Sequence, residues 1–181
     1  FPAQISPTSG GANSGPLIAD VVINEIHYNP RPGGDAFVEI KNRSGSPVPL
    51  YDSIRPTNTW RLSGIDFTFP TNVVLPVDGL ALIVETEPAV FRAKYSVPAG
   101  TPVFGPYGGT LQNSGELLEL QRLDLRGTTN LAWVTLDAVR YNDRAPWPAA
   151  ADGAGASLQR INPAAYGNDP INWLAAAPNR G

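Results

Sequence analysis

From Asp20 onward the chain is a series of short apolar runs broken by Pro, Gly and Asn. Val21–Tyr28 (VVINEIHY) reads as a strand halted by Asn29-Pro30-Arg31-Pro32-Gly33-Gly34. Ala36–Lys41 (AFVEIK) is a second, ended by Asn42-Arg43-Ser44-Gly45. Trp60-Arg61-Leu62 and Phe67-Thr68-Phe69 follow, the latter closed by Pro70. Leu80–Val84 (LALIV) is continuously apolar, the pattern of a strand buried on both faces. Glu116–Leu123 (ELLELQRL) alternates, with Leu118 and Leu120 on one face and Glu119 and Gln121 on the other. Gly115 and the turn Leu125-Arg126-Gly127 bound it too tightly for a helix, and it pairs with Leu131–Tyr141 as a hairpin.

Helix signals are few. Glu87–Tyr95 has Thr86 as N-cap and a proline in its first turn, enough for one or two turns. Asp169 before Pro170 gives a short capped turn through Trp173. The pattern is therefore all-β with one or two short helical turns. Residues 1–19 are rich in Pro, Ser, Gly and Asn and read as a linker or flexible N-terminal segment, leaving residues 20–181 as the folded domain.

Composition agrees. Hydrophobic residues make up 42% and charged residues 16%, which is globular rather than disordered. The 19 prolines and 18 glycines are dispersed between apolar runs, as turns of an all-β chain should be. A net charge of −3 without clustered Lys and Arg argues against nucleic acid as a partner. No apolar run approaches the ~18 residues of a membrane span. Cysteine is absent, which removes disulfides and thiolate metal sites. The chain begins at Phe1 and contains no Met, so it reads as a processed or excised piece of a larger protein.

The order of the pieces carries a resemblance. VVINEIHYNP, DAFVEIKNRSG, TWRLSG, FTFP, VVLPVDGLALIVE, GPYGGTLQNSGELLELQRLD, LDAVRYNDRAPWP and ADGAGASLQRINP, in that sequence, resemble the lamin-tail domain. The bacterial versions found in large exported proteins are the most similar, and the match runs from about Asp20 to Pro178. Phe37–Ser44, Leu111–Leu120 and Ala145–Pro148 are its most specific parts. The resemblance implies an immunoglobulin-like two-sheet β-sandwich, with no enzymatic activity and an extracellular or cell-surface location. It also implies a role in docking a protein partner or the neighbouring domains of its parent chain. Tyr51–Thr59 and Thr128–Val134 are longer than the family pattern, and such loops are where a specific binding surface would be built.

Candidate chemistry is sparse. His27 is the one histidine, with no nucleophile-elbow sequence beside it and no second histidine for zinc. Glu25 and Glu39 lie mid-strand among apolar residues, and strand parity puts Asp137 on the same face as Val139 and Tyr141. A carboxylate among apolar neighbours must be paired, hydrogen-bonded or bound to a cation, so these three are the candidate ligands for Ca²⁺. The plainer alternatives are pairing with Arg61, Arg140 or Lys41, or simple exposure. Asp152-Gly153-Ala154-Gly155 lacks the spaced ligands of a calcium loop and reads as a glycine turn.

Exposed aromatic faces can stack on sugars. Trp147, between Pro146 and Pro148, and Tyr107, between Pro106 and Gly108, are the candidate binding platforms, with packing at the end of the sandwich as the alternative for Trp147. Trp60, Trp133 and Trp173 read as packing residues, and Asn42-Arg43-Ser44 as a turn rather than a glycosylated sequon. The functional expectation is a non-catalytic interaction or spacer module that binds a protein partner through loops or a sheet edge. A carbohydrate-binding module, with calcium assisting, is the alternative.

Overall fold

The apolar runs form strands and the Pro- and Gly-rich pieces form turns in a computed structural model that describes residues 3–124 and 132–180. In chain order the elements are β1 (Val21–His27), β2 (Phe37–Asn42), β3 (Val48–Pro49), β4 (Arg61–Ser63), β5 (Phe67–Thr68), β6 (Val74–Leu75) and β7 (Leu80–Val84). Helix α1 (Pro88–Tyr95) follows, then β8 (Val103–Phe104), β9 (Leu117–Asp124), β10 (Ala132–Arg140), β11 (Ser157–Arg160) and β12 (Trp173–Ala176). One sheet has six strands in the order β12-β11-β1-β2-β7-β8, and a second has four in the order β10-β9-β4-β5. Strands β3 and β6 form a small separate ribbon.

The two sheets pack face to face, which makes the fold an all-β sandwich. Val21, Ile23, Ile26, Val38, Ile40 and Ile83 from the larger sheet share one core with Leu62, Phe67, Leu118, Leu120 and Val139 from the smaller. The larger sheet is covered on its outer face as well. Phe91 of α1 packs there on Phe37, Leu82 and Val84, so β7 has no polar face and its unbroken apolar run is explained.

A bulge shapes β1. Strict alternation would align Glu25 with Val21 and Ile23, but the pairing with β2 shifts register between Ile23 and Glu25. Beyond the shift Ile26 and Tyr28 face the core, and Glu25 and His27 face outward. A matching shift lies in β10 between Thr135 and Asp137.

Several local expectations change. The α1 N-cap is Glu87 rather than Thr86, with no side-chain capping bond, and the Thr86 Oγ1 is buried without a partner. Asp169 does cap the later turn, accepting from the Ile171 N–H at 3.2 Å, and Trp173 closes that turn through its N–H to the Pro170 carbonyl while also opening strand β12. Strands β9 and β10 pair as expected, whereas Leu131 and the turn Leu125-Arg126-Gly127 lie outside the described residues. Gly115, at φ 102°, starts this hairpin against Tyr141, and a Cβ there would sit 2.4 Å from the Tyr141 carbonyl oxygen. Residues 3–17 double back on themselves, with Ile5 N–H donating to the Gly15 carbonyl at 3.1 Å and Leu17 N–H to that of Ala3 at 2.7 Å.

Candidate functional site

The three candidate calcium ligands are not brought together. Asp137 faces the core between the sheets, while Glu25 and Glu39 face outward from the larger sheet. Among the described residues, no three His, Asp or Glu side chains are grouped as a metal site. Asp137 is instead buried in an ion pair with Arg160, whose Nη1 lies 2.7 Å from Oδ2. This partner differs from the expected Arg61, Arg140 or Lys41.

The pair closes a gap in the backbone ladder. At the β1 bulge, β11 reaches only as far as Glu25 and Ile26, which leaves the peptide groups of Ile23 without a strand partner on that side. Asp137 Oδ2 accepts from the Ile23 N–H at 2.9 Å, and Arg160 Nη1 donates to the Ile23 carbonyl at 3.0 Å. Arg160 also donates to the Ala165 carbonyl at 2.6 Å. Asp137 belongs to one sheet and Arg160 to the other, so the pair ties them together. Parity could have found Arg160, since it lies two residues from the core residue Leu158 on β11.

On the outer face Glu25 and Glu39 stand opposite each other on β1 and β2, and His27 stands opposite Phe37. Residues 177–180 lie across them. Glu25 Oε1 accepts from the Ser157 hydroxyl and from the Asn179 N–H at 3.0 Å. Asn24 donates to Glu39 Oε1 at 2.8 Å, while Glu39 Oε2 and both ring nitrogens of His27 are buried without a partner. Burial pushes the Glu25 carboxyl up to about 8, aided by the charge of Glu39 and opposed by the Ser157 hydrogen bond. Burial likewise lifts Glu39 to about 6 against the Asn24 bond. The same desolvation, with the charge of Arg180, lowers His27 to about 4.

These shifts give stability a direction with pH. Unfolded, Glu25 titrates near 4.5, so the folded state holds an extra proton up to about pH 8 and loses stability as pH rises through that window. His27 acts oppositely between about 4 and 6.5, and Glu39 has finished by about 6. Between pH 6.5 and 8 Glu25 alone of the three contributes. Thermal melts should show stability falling by roughly 2 kcal/mol across that interval. Glu25→Gln should flatten the fall, and an equally steep profile in that variant would assign the proton elsewhere.

The candidate sugar platforms are packed inside. Trp147 is 7% exposed, with its ring centroid 6.1 Å from that of Trp173, whose Nε1 donates to the Gly167 carbonyl. Tyr107 is also 7% exposed and belongs to the main core. Neither presents the open ring face that stacking on a sugar requires. Asn42 is fully buried and donates to the Ser46, Leu75 and Pro76 carbonyls, the work of a turn residue. Gly153 and Gly155, at φ 71° and 87°, likewise shape a turn.

A groove that sequence patterning did not reveal runs beside β10. Among the described residues, this strand has β9 on one side and no strand on the other. Its stretch Val134–Ala138, together with residues 17–20, Arg122 of β9, Trp60 and Tyr166, lines a cavity of about 770 Å³. Leu17, Ile18, Val48 and Leu136 make the walls largely apolar, and Asp20 and Arg122 add charge. The signal was divided between an N-terminal segment of linker composition and a strand whose outer neighbour only the topology could supply. No protein-family model, curated protein or solved structure matches the chain.

Proposed function

We propose that the domain is a non-catalytic interaction and spacer module of a larger exported or cell-surface protein, an immunoglobulin-like sandwich of the lamin-tail kind. Its partner is an extended protein segment that lies along the open edge of β10. The observation that carries this is the apolar groove beside Val134–Ala138. A strand edge offers main-chain donors and acceptors for affinity, and wall pockets select alternate side chains. A non-catalytic role is supported by the outer-face acids, since Glu25 and Glu39 lie under residues 177–180 rather than in the groove. Asp137, which does line it, is engaged by Arg160.

Selection from a library of displayed extended peptides tests the proposal. Binders should emerge with apolar residues at alternate positions. Val134→Lys sets a charge in the groove wall while sparing the main core, and should weaken them by about tenfold or more, equivalent to ~1.4 kcal/mol. Peptides that bind Val134→Lys as well as the parent chain would place the interaction elsewhere, and a selection yielding no binders would count against the edge altogether.

A further inference from the structure

The outer face of the larger sheet holds a cation in a defined setting. The Arg180 guanidinium carbon lies 4.0 Å from the Tyr95 ring centroid and 5.6 Å from that of Phe37. Helix α1 presents Tyr95, whose hydroxyl accepts from the Asp35 N–H at 2.9 Å, so the ring is held in place from both ends. Glu25 and Glu39 lie on the sheet beneath, and the charge of Arg180 reaches Glu25 and His27 through space. Glu39 is 0% and His27 3% exposed, and Glu39 Oε2 and the His27 nitrogens have no hydrogen-bond partner, so the floor has polar capacity to spare.

The backbone leading to this arginine is also bound. Gln159 Nε2 donates to the Ala177 carbonyl at 2.7 Å, and the Asn179 N–H donates to Glu25 at 3.0 Å. Two main-chain positions and one side chain are thus read within four residues, as in the recognition of an extended peptide. The fit is incomplete, because Arg180 Nε is buried without an acceptor. Lys94, the neighbouring cation on α1, is tied to Asp35.

We propose that Phe37 and Tyr95, with Glu25 and Gln159 holding the main chain, form an arginine-recognition site, occupied in cis by Arg180 and able to take an arginine presented on an extended peptide in trans. Two ring faces select a cation. The planar guanidinium stacks on a ring in a way that a compact ammonium does not. Cis occupancy makes the site self-blocked, since a tethered arginine competes at high effective concentration. The site is separate from the β10 groove, and either can fail without the other.

The test uses the full chain carrying Arg180→Ala and a blocked peptide, acetyl-Ala-Pro-Asn-Arg-amide, followed through the ring signals of Tyr95 and Phe37. The variant should bind this peptide at least about tenfold more tightly than the parent chain, and peptides with lysine or citrulline for arginine about tenfold more weakly. No peptide-dependent shift at millimolar concentration, or equal binding of the lysine peptide, would overturn the proposal. If Arg180→Ala loses its fold, Tyr95→Leu in the intact chain replaces it as the test. That change should speed hydrogen exchange at the Asn179 amide by about tenfold through loss of the stacking contact. An unchanged exchange rate there would show that the ring does not hold the arginine.

Discussion

Asp137→Ala is expected to destabilise the domain by about 3–5 kcal/mol, because it leaves the buried Arg160 guanidinium without its counter-charge. In a chain of this length that corresponds to a fall of roughly 6–20 °C in melting temperature. The side chain of Arg160 is 0% exposed and that of Asp137 6%, so water cannot screen the orphaned charge. A second consequence separates this pair from an ordinary buried salt bridge. Replacing both partners by apolar residues of similar volume is often neutral or stabilising. Here the pair also serves the Ile23 N–H and carbonyl at the bulge, and each unsatisfied peptide group costs about 1–3 kcal/mol. The double variant Asp137→Leu/Arg160→Met should therefore remain clearly less stable than the parent. Full recovery in that variant would mean that the β1 bulge does not depend on the pair.

Trp147→Ala should cost a similar amount, about 3–5 kcal/mol, by opening a cavity against Trp173. Trp147 sits in the main core with Ala151, Leu158 and Trp173. Its loss would loosen the docking of β12, and with it residues 177–180 over Glu25. The effect should appear as a lowered melting temperature together with faster exchange at the Asn179 amide. A variant that melted like the parent would show that the indole is not a packing residue, and would return it to consideration as a platform for a ligand.

What could be read from the chain followed physical visibility. Val21–Tyr28, Leu80–Val84 and the β9–β10 hairpin are long enough for periodicity to declare itself. Strands β3, β6 and β8 have two residues each, below the length at which any period exists. Strand β11, Ser157–Arg160, carries one apolar residue, since its outward Ser157 binds a carboxylate and its inward Arg160 meets Asp137. Parity placed Asp137 inward correctly because Val139 and Tyr141 lie beyond the β10 bulge with it. Glu25 shows the opposite case, where a single extra residue at Asn24 decides which face receives the acid. No local pattern reports such a shift. The Trp147 side chain illustrates a third limit: flanking prolines announce an extended backbone, but only packing against Trp173 decides whether the ring is lid or platform.

The two surfaces for which binding is proposed share this character. Each is assembled from segments far apart in sequence: β10 with residues 17–20, and β1, β2 and α1 with residues 177–180. Linker-like composition hid one half of the first, and a turn-rich C-terminal stretch hid one half of the second.

The most direct measurement is backbone amide mapping of the isotope-labelled chain during titration with an extended peptide selected for binding. Strand addition predicts shifts concentrated at Val134–Ala138 and at residues 17–20, with new exchange protection for amides on the open side of β10. Saturable binding that shifted other surfaces and left Val134–Ala138 unchanged would contradict it.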